Sequence, residues 1–308
     1  MCKNKILFSM MIFTILLVGC KKQNDTISAN NNNTTVVMPP FSFVDKATLT
    51  SSKPLINGST TLDKWQLAFS DEFNDTKIDT LKWTVENSIR YRPDITIYSN
   101  SNQVEEKDGN IYINYSKASA INSKAYYAGR FNSKDKYSTT YGFFEARMHV
   151  VRPNGYQTAF WMMPNSGTSM SNAGPHDGTA NDGAEIDIVE GNKLNTYSCG
   201  LHWDGYDTAH QGAGNGSVRA TNMHDTVYHV FGLEWSKTFL KYYFNGRLVW
   251  QTSDLKTISH VAEYILFTGM CWGVNDWVNG DVTKNTFIQN GGVDKAYIDY
   301  VRVYKFIP

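Results

Sequence analysis

The 308-residue chain has no excess charge of either sign: 29 Lys and Arg balance 29 Asp and Glu. No net field is available to gather nucleic acid or an anionic membrane surface, so a neutral partner fits better. Cysteine is scarce at four and proline at eight. Four cysteines in a chain of this length do not make a disulfide-built scaffold. A sustained 3.6-residue apolar period is missing, which argues against a helical bundle. Also missing are a phosphate-binding P-loop, a dinucleotide glycine fingerprint, a His-Glu-x-x-His zinc helix and any internal repeat. Aromatic residues are plentiful by contrast, at 14% of the chain with eight Trp and 18 Tyr. That exceeds the usual need of a core this size and predicts a surface for something flat and amphipathic.

The N-terminus reads as a targeting segment. Lys3 and Lys5 form a basic start and Ile6 to Val18 an apolar stretch, shorter than the ~20 residues that cross a bilayer. The closing Leu17-Val18-Gly19-Cys20 resembles the lipobox of bacterial lipoproteins, which implies lipidation of Cys20 and anchoring in the cell envelope. Residues 1–19 are thus expected to be a signal peptide. Residues 20–60, polar and rich in Asn, Ser and Thr, are expected to be a tether that cannot fold alone. Residues 61–308 remain for one folded domain. Cys199 and Cys271 can pair in an oxidising compartment or stay as two buried thiols, because spacing gives no geometry.

From Trp65 onward, short alternating runs are separated by Gly, Asn and Asp, the pattern of an antiparallel sandwich. Ile111, Ile113 and Tyr115 alternate with polar neighbours, as do Phe144, Ala146, Met148 and Val150. Leu240–Phe244, Asn245-Gly246 and Arg247–Thr252 predict a hairpin, since Asn-Gly supplies the positive φ angles of a type I′ turn. A last strand is predicted over Tyr297–Phe306. Residues 164–183, rich in Ser, Gly, Asn and Asp, form a loop long enough to be functional and are expected to wall a cleft. His176 and Asp177 within it read as solvated loop polars.

The chemistry concentrates in Gly183-Ala184-Glu185-Ile186-Asp187-Ile188-Val189-Glu190-Gly191. In a regular strand Glu185 and Asp187 share a face and Glu190 points away. One extra residue accommodated around Ile188-Val189 shifts the phase and returns Glu190 to that face. Three acids with no interleaved cation repel one another, which a purely structural strand would avoid. Glycoside hydrolysis uses such repulsion: one carboxylate stays ionised to attack the anomeric carbon, and its neighbour keeps a proton for the leaving oxygen.

Glu-Ile-Asp-Ile-Val-Glu resembles the active-site motif of family 16 of the glycoside hydrolases in its bulged form. The resemblance extends over Ser70-Asp71-Glu72-Phe73-Asn74 with Trp83, Ala128-Gly129-Arg130, Tyr141 to Arg147, Ala159 to Pro164, Tyr228 to Trp235 and Ile298 to Tyr304. It implies an all-β jelly-roll sandwich of two antiparallel sheets with a concave substrate cleft, and retaining endo-β-glycanase activity on a β-1,3/1,4-glucan or a β-galactan. Residue by residue it makes Glu185 the nucleophile, Asp187 its assistant and Glu190 the general acid/base. Trp161 is implied as sugar-binding floor, with His202, Trp203, Arg130, Trp272 and Trp277 as further substrate contacts; for His202 a structural role stays open.

Several members of the family hold a structural calcium ion, and Glu72, Gly109 and Asp299 match its ligand positions; catalysis itself needs no cofactor. The expected partner is a polysaccharide or oligosaccharide. The expected state is a monomer that meets the membrane only through its lipid and binds no nucleic acid. Tyr156-Gln157-Thr158 and Cys271 to Trp277 depart from the β-1,3-glucanase branch, so the sugar is open. The equal charge balance offers no positive evidence for a sulfated galactan, although Arg90 and Arg92 allow a local basic patch. A lectin-like module and a transglycosylase are the alternatives on the same fold.

Overall fold

The computed structural model describes residues 43–308 apart from 167, 168, 226, 275 and 276. The expected signal peptide and Cys20 lie outside the described residues. Two sheets, of eleven and eight strands, face each other across one core. Their pairings are antiparallel except for Thr96–Ser99 with Ala125–Ala128, which run parallel. The eight-stranded sheet carries the strands Tyr156–Pro164, Glu185–Lys193, Thr196–Trp203 and Glu263–Cys271 side by side. Its inner face is core and its outer face is the cleft.

Alternation along these strands decides what lies where. Phe160, Phe267 and Phe131 are direct neighbours on three adjoining strands. Their rings stack at 4.8 Å (Phe160–Phe267) and 5.0 Å (Phe131–Phe267), with Trp83 edge-on to Phe131 at 5.2 Å. This buried ladder stiffens the sheet under the cleft, each aromatic pair adding about 0.5–1.5 kcal/mol beyond its area. The residues between these rings, Ala159, Trp161, Thr268 and Arg130, necessarily face the cleft.

Several sequence readings meet the structure closely. Leu240–Phe244 and Arg247–Thr252 pair across Asn245 (φ 48°) and Gly246 (φ 76°), both left-handed as a type I′ turn needs. Ile111, Ile113, Tyr115, Phe144, Ala146, Met148 and Val150 are buried together. The last strand starts earlier than Tyr297, at Val293, because residues 293–298 pair with the Asn110–Lys117 strand. Cys199 and Cys271 are separate buried thiols.

The tether does not extend to residue 60. Thr48 Oγ1 donates to Glu72 Oε1 at 2.6 Å, Leu55 N–H to Glu145 Oε2 at 2.9 Å, and Asn57 N–H to the Gly246 carbonyl at 2.9 Å. Residues 45–57 thus belong to the sandwich. Their polar composition looked unfoldable only because their partners are backbone and carboxylate groups more than 20 positions away.

Candidate active site

Glu185–Lys193 pairs with Tyr156–Pro164 in a register that sets Glu190 opposite Ala159, Val189 opposite Phe160 and Asp187 opposite Trp161. Ile188 is therefore the extra residue. Ile188 and Val189 are both buried, so two consecutive side chains enter the core and the next outward position falls on Glu190. Glu185, Asp187 and Glu190 consequently share the cleft face, in a cavity of about 510 Å³.

Each carboxyl has its own surroundings. Glu185 accepts the phenolic hydrogen of Tyr206 at Oε2. Burial raises its pKa, while the Tyr206 bond and the positive charge of Arg130 pull it back down. Glu190 accepts from Gln157 Nε2 at 2.8 Å. Burial and then the negative charge of Glu185 push it up to about 8, with the Gln157 bond opposing. Asp187, 3% exposed, is raised well above the ordinary aspartate range by burial, then by Glu190 and Glu185. Glu185 alone has both a hydroxyl donor and a cation in support. The arrangement thus favours an ionised Glu185 beside a protonated Glu190, a nucleophile paired with an acid.

The floor is fixed by its own hydrogen bonds. Trp161, which lines the cleft, donates from Nε1 to Thr268 Oγ1 at 3.1 Å. Trp272 Nε1 donates to Gln157 Oε1 at 2.9 Å, so Gln157 joins an aromatic wall to the acid Glu190. Trp277 meets Trp272 edge-on at 5.5 Å, and the guanidinium of Arg92 lies 4.4 Å from the Trp272 ring centre. Arg130 also lines the cleft, its Nε bonded to Glu86 Oε2 at 2.8 Å.

Of two further expected contacts, His202 borders the acids and Trp203 falls elsewhere. His202 is directly opposite Glu185. It sits beside Asp187, with Nε2 3.7 Å from Asp187 Oδ2 and Nδ1 3.0 Å from His210 Nε2. Burial and the neighbouring His210 lower its pKa, which favours the neutral ring. Trp203 is not a cleft residue: alternation from His202 turns it inward, where it joins the core.

The expected calcium ligands do not fit a cation as arranged. Arg302 grips both oxygens of Glu72 at 2.8 Å, and Arg147 holds Asp299 at 2.5 Å. Two guanidinium groups already neutralise the carboxylates that would have to bind the ion.

Sequence reasoning missed Tyr206, Gln157 and Thr268 as site residues. Strand parity could have found Gln157, which lies two and four positions from Ala159 and Trp161 on the same face. No such signal exists for Tyr206, which lies in a turn.

The split between the carboxyls can be checked by NMR. In Glu185→Gln the repelling charge is gone, so the ¹³C titration midpoint of the Glu190 carboxyl should fall from about 8 by about one unit. An unchanged or higher midpoint would mean that Glu185 does not set the protonation of Glu190.

Comparison with known proteins agrees with this geometry. The family model described as "Beta-porphyranase A-D, GH16 domain" matches residues 65–306. Glucan endo-1,3-beta-glucosidase A1 of Niallia circulans is 27% identical over 291 residues, covering 83% of this chain and 39% of that protein. Keratan-sulfate endo-1,4-beta-galactosidase of Sphingobacterium multivorum is 27% identical over 317 residues, covering 97% of this chain and 67% of that protein. The chain therefore spans well under half the length of the Niallia relative. The solved structure of LamAcat from Zobellia galactanivorans superposes with a TM-score of 0.59 at 26% identity, covering 78% of this chain and 97% of that one. A sandwich of this topology, a bulged strand with three acids on its cleft face and a family match over residues 65–306 lead to one conclusion: the chain belongs to family 16 of the glycoside hydrolases.

Proposed function

We propose that this protein is a retaining endo-β-glycanase that cleaves an anionic, sulfated β-galactan. In the first step an oxygen of Glu185 attacks the anomeric carbon while Glu190 passes its proton to the departing glycosidic oxygen, leaving a glycosyl ester on Glu185. In the second, Glu190, now a carboxylate, takes a proton from water. That water attacks the same carbon, releasing Glu185 and restoring the original configuration. Asp187, buried beside them and kept protonated by burial and the two neighbouring acids, adds no third charge.

The observation that carries the substrate class is a crowd of guanidinium groups at one side of the cleft. Arg90, Arg92 and Arg130 all line it, with Glu86 as the carboxylate among them. Glu86 bonds Arg130 and lies 3.8 Å from Arg90. Arg92 has a buried Nε without a hydrogen-bond partner, and burial followed by the charge of Arg90 lowers its pKa. A sulfate on a sugar bound in the cleft would supply a counter-charge to these guanidinium groups and relieve the crowding. The porphyranase family description and the keratan-sulfate relative point to galactans as the sugar.

A panel of porphyran, keratan sulfate, agarose, laminarin and mixed-linkage glucan, read by product size, tests both parts. Cleavage of a sulfated galactan into oligosaccharides is expected. Arg92→Ala should lose about tenfold or more in kcat/KM on that substrate, as expected for losing a charge-assisted bond. Cleavage of laminarin alone, or an Arg92→Ala variant at full rate, would reject the anionic reading.

The anchor belongs to the same proposal: lipid on Cys20 would hold the enzyme at the cell envelope, where a polysaccharide too large to enter is met. Cys20→Ala should move the enzyme from the membrane fraction to the soluble fraction with its activity intact. Unchanged membrane partitioning would remove the lipoprotein reading.

A further inference from the structure

The double displacement set out above makes no use of one contact in the cleft, the hydrogen bond from the Tyr206 phenol to Glu185 Oε2. Tyr206 lies in the turn between the strands Thr196–Trp203 and Gln211–Arg219. Tyr206 is 54% exposed, as expected of a turn residue. Yet it is braced. Asp204 (φ 59°) and Gly205 (φ 74°) adopt left-handed conformations that fold the chain back over the start of the catalytic strand.

Residues 169–178 hold this turn through hydrogen bonds. Gly205 N–H donates to the Ser169 carbonyl at 2.6 Å, and Tyr206 N–H to Asn172 Oδ1 at 2.7 Å. Asp204 Oδ2 accepts from Gly178 N–H at 2.8 Å. Position 205 is doubly restricted, because a Cβ there would come within 2.7 Å of Asn172 Oδ1 as well as straining the backbone. On its flank the Tyr206 ring lies nearly parallel to His210, with centroids 6.2 Å apart. His210 in turn stacks on His202 at 5.0 Å. The tyrosine is thus fixed at its backbone, its ring and its hydroxyl.

We infer that Tyr206 is a positioning residue for Glu185, holding it in the attacking orientation, and that Ser169, Asn172 and Gly178 serve the reaction by holding the Tyr206 turn. This rests on Glu185 being the nucleophile. With Oε2 held by the phenol, Oε1 is free to attack the anomeric carbon. When the C–O bond of the ester forms at Oε1, Oε2 becomes the ester carbonyl and still accepts from Tyr206. When water breaks that bond, the electron pair returns to the carboxylate and the hydrogen bond strengthens as the charge reappears. Tyr206 keeps its proton throughout, since burial and then the Glu185 charge hold its pKa above the ordinary tyrosine value.

The groups facing Glu185 are Asp187 and Glu190 on its own strand, His202 on the neighbouring strand and His210 beside Tyr206. Arg130 and Tyr264 complete the set across the cleft. Only Tyr206 and Arg130 lower the Glu185 pKa, so removing the hydroxyl must raise it. The acidic limb of kcat/KM, set by ionisation of the nucleophile, then moves to higher pH.

Tyr206→Phe should lower kcat/KM by about 10- to 100-fold with little change in KM, and shift the acidic limb up by about one pH unit, as for loss of a bond to a charged acceptor. Its melting temperature should match the wild type. Asn172→Ala, which loosens the turn but leaves the hydroxyl, should give a smaller loss in the same direction. Peptide mass mapping after treatment with a 2,4-dinitrophenyl 2-deoxy-2-fluoro-β-disaccharide, made from whichever sugar the glycan panel shows to be cleaved, separates the two readings. Failure to label Glu185 in the wild type would overturn the nucleophile assignment. Labelled Glu185, together with a Tyr206→Phe variant that keeps the wild-type acidic limb, would overturn the inference about Tyr206 alone, whether or not the rate falls.

Discussion

Three carboxyl groups on one face of one strand repel one another, and the rest of the site follows from how that repulsion is contained. The single inserted residue, Ile188, brings Glu190 into line with Glu185 and Asp187. Without it Glu190 would sit among the core side chains, and an ionisable group there would cost several kcal/mol. Burial and mutual charge make full ionisation of the set unfavourable, so protons stay on the members least helped by their surroundings. Gln157 stands beside Glu190, whereas Tyr206 and Arg130 stand beside Glu185. That asymmetry gives chemically identical side chains different protonation, which the proposed acid and nucleophile roles require.

Such a cluster needs a rigid support, because a carboxyl that can turn away escapes the repulsion. The stacked Phe131, Phe267 and Phe160 rings stiffen the sheet from beneath. Glu263, itself buried, accepts the Ala184 N–H at 3.2 Å and the Ser259 hydroxyl at 2.6 Å, which pins the backbone immediately before Glu185. The same rigidity shapes the cleft: Trp161 and Trp272, which both line it, are each tied through the indole N–H.

What could be read from the sequence was what strand parity and turn chemistry encode. Alternation identified the inward residues, Asn245-Gly246 announced the hairpin, and the spacing of the three acids demanded a bulge where one is found. Parity applied past Leu201 would also have separated His202 from the inward-facing Trp203. Long-range pairing was not legible. Nothing near Glu72 or Asp299 in sequence announces that Arg302 and Arg147 neutralise them, and nothing in residues 45–57 names Ser70, Glu145 or Gly246 as partners. Tyr206 belongs to the same class, because its turn is held by Ser169, Asn172 and Gly178, far from it in sequence.

The division of labour between Glu185 and Glu190 is the central claim, and chemical rescue reads it most directly. Glu190→Ala lacks the acid, yet an activated aryl β-glycoside needs no proton to leave, so Glu185 can still be glycosylated. Azide should then release the sugar as the β-glycosyl azide, identified by the anomeric coupling in its proton NMR spectrum. With Glu185→Ala, azide can act only in place of the nucleophile and should yield the α-glycosyl azide. The opposite pairing, an α-azide from Glu190→Ala and a β-azide from Glu185→Ala, would contradict the account by exchanging the two roles.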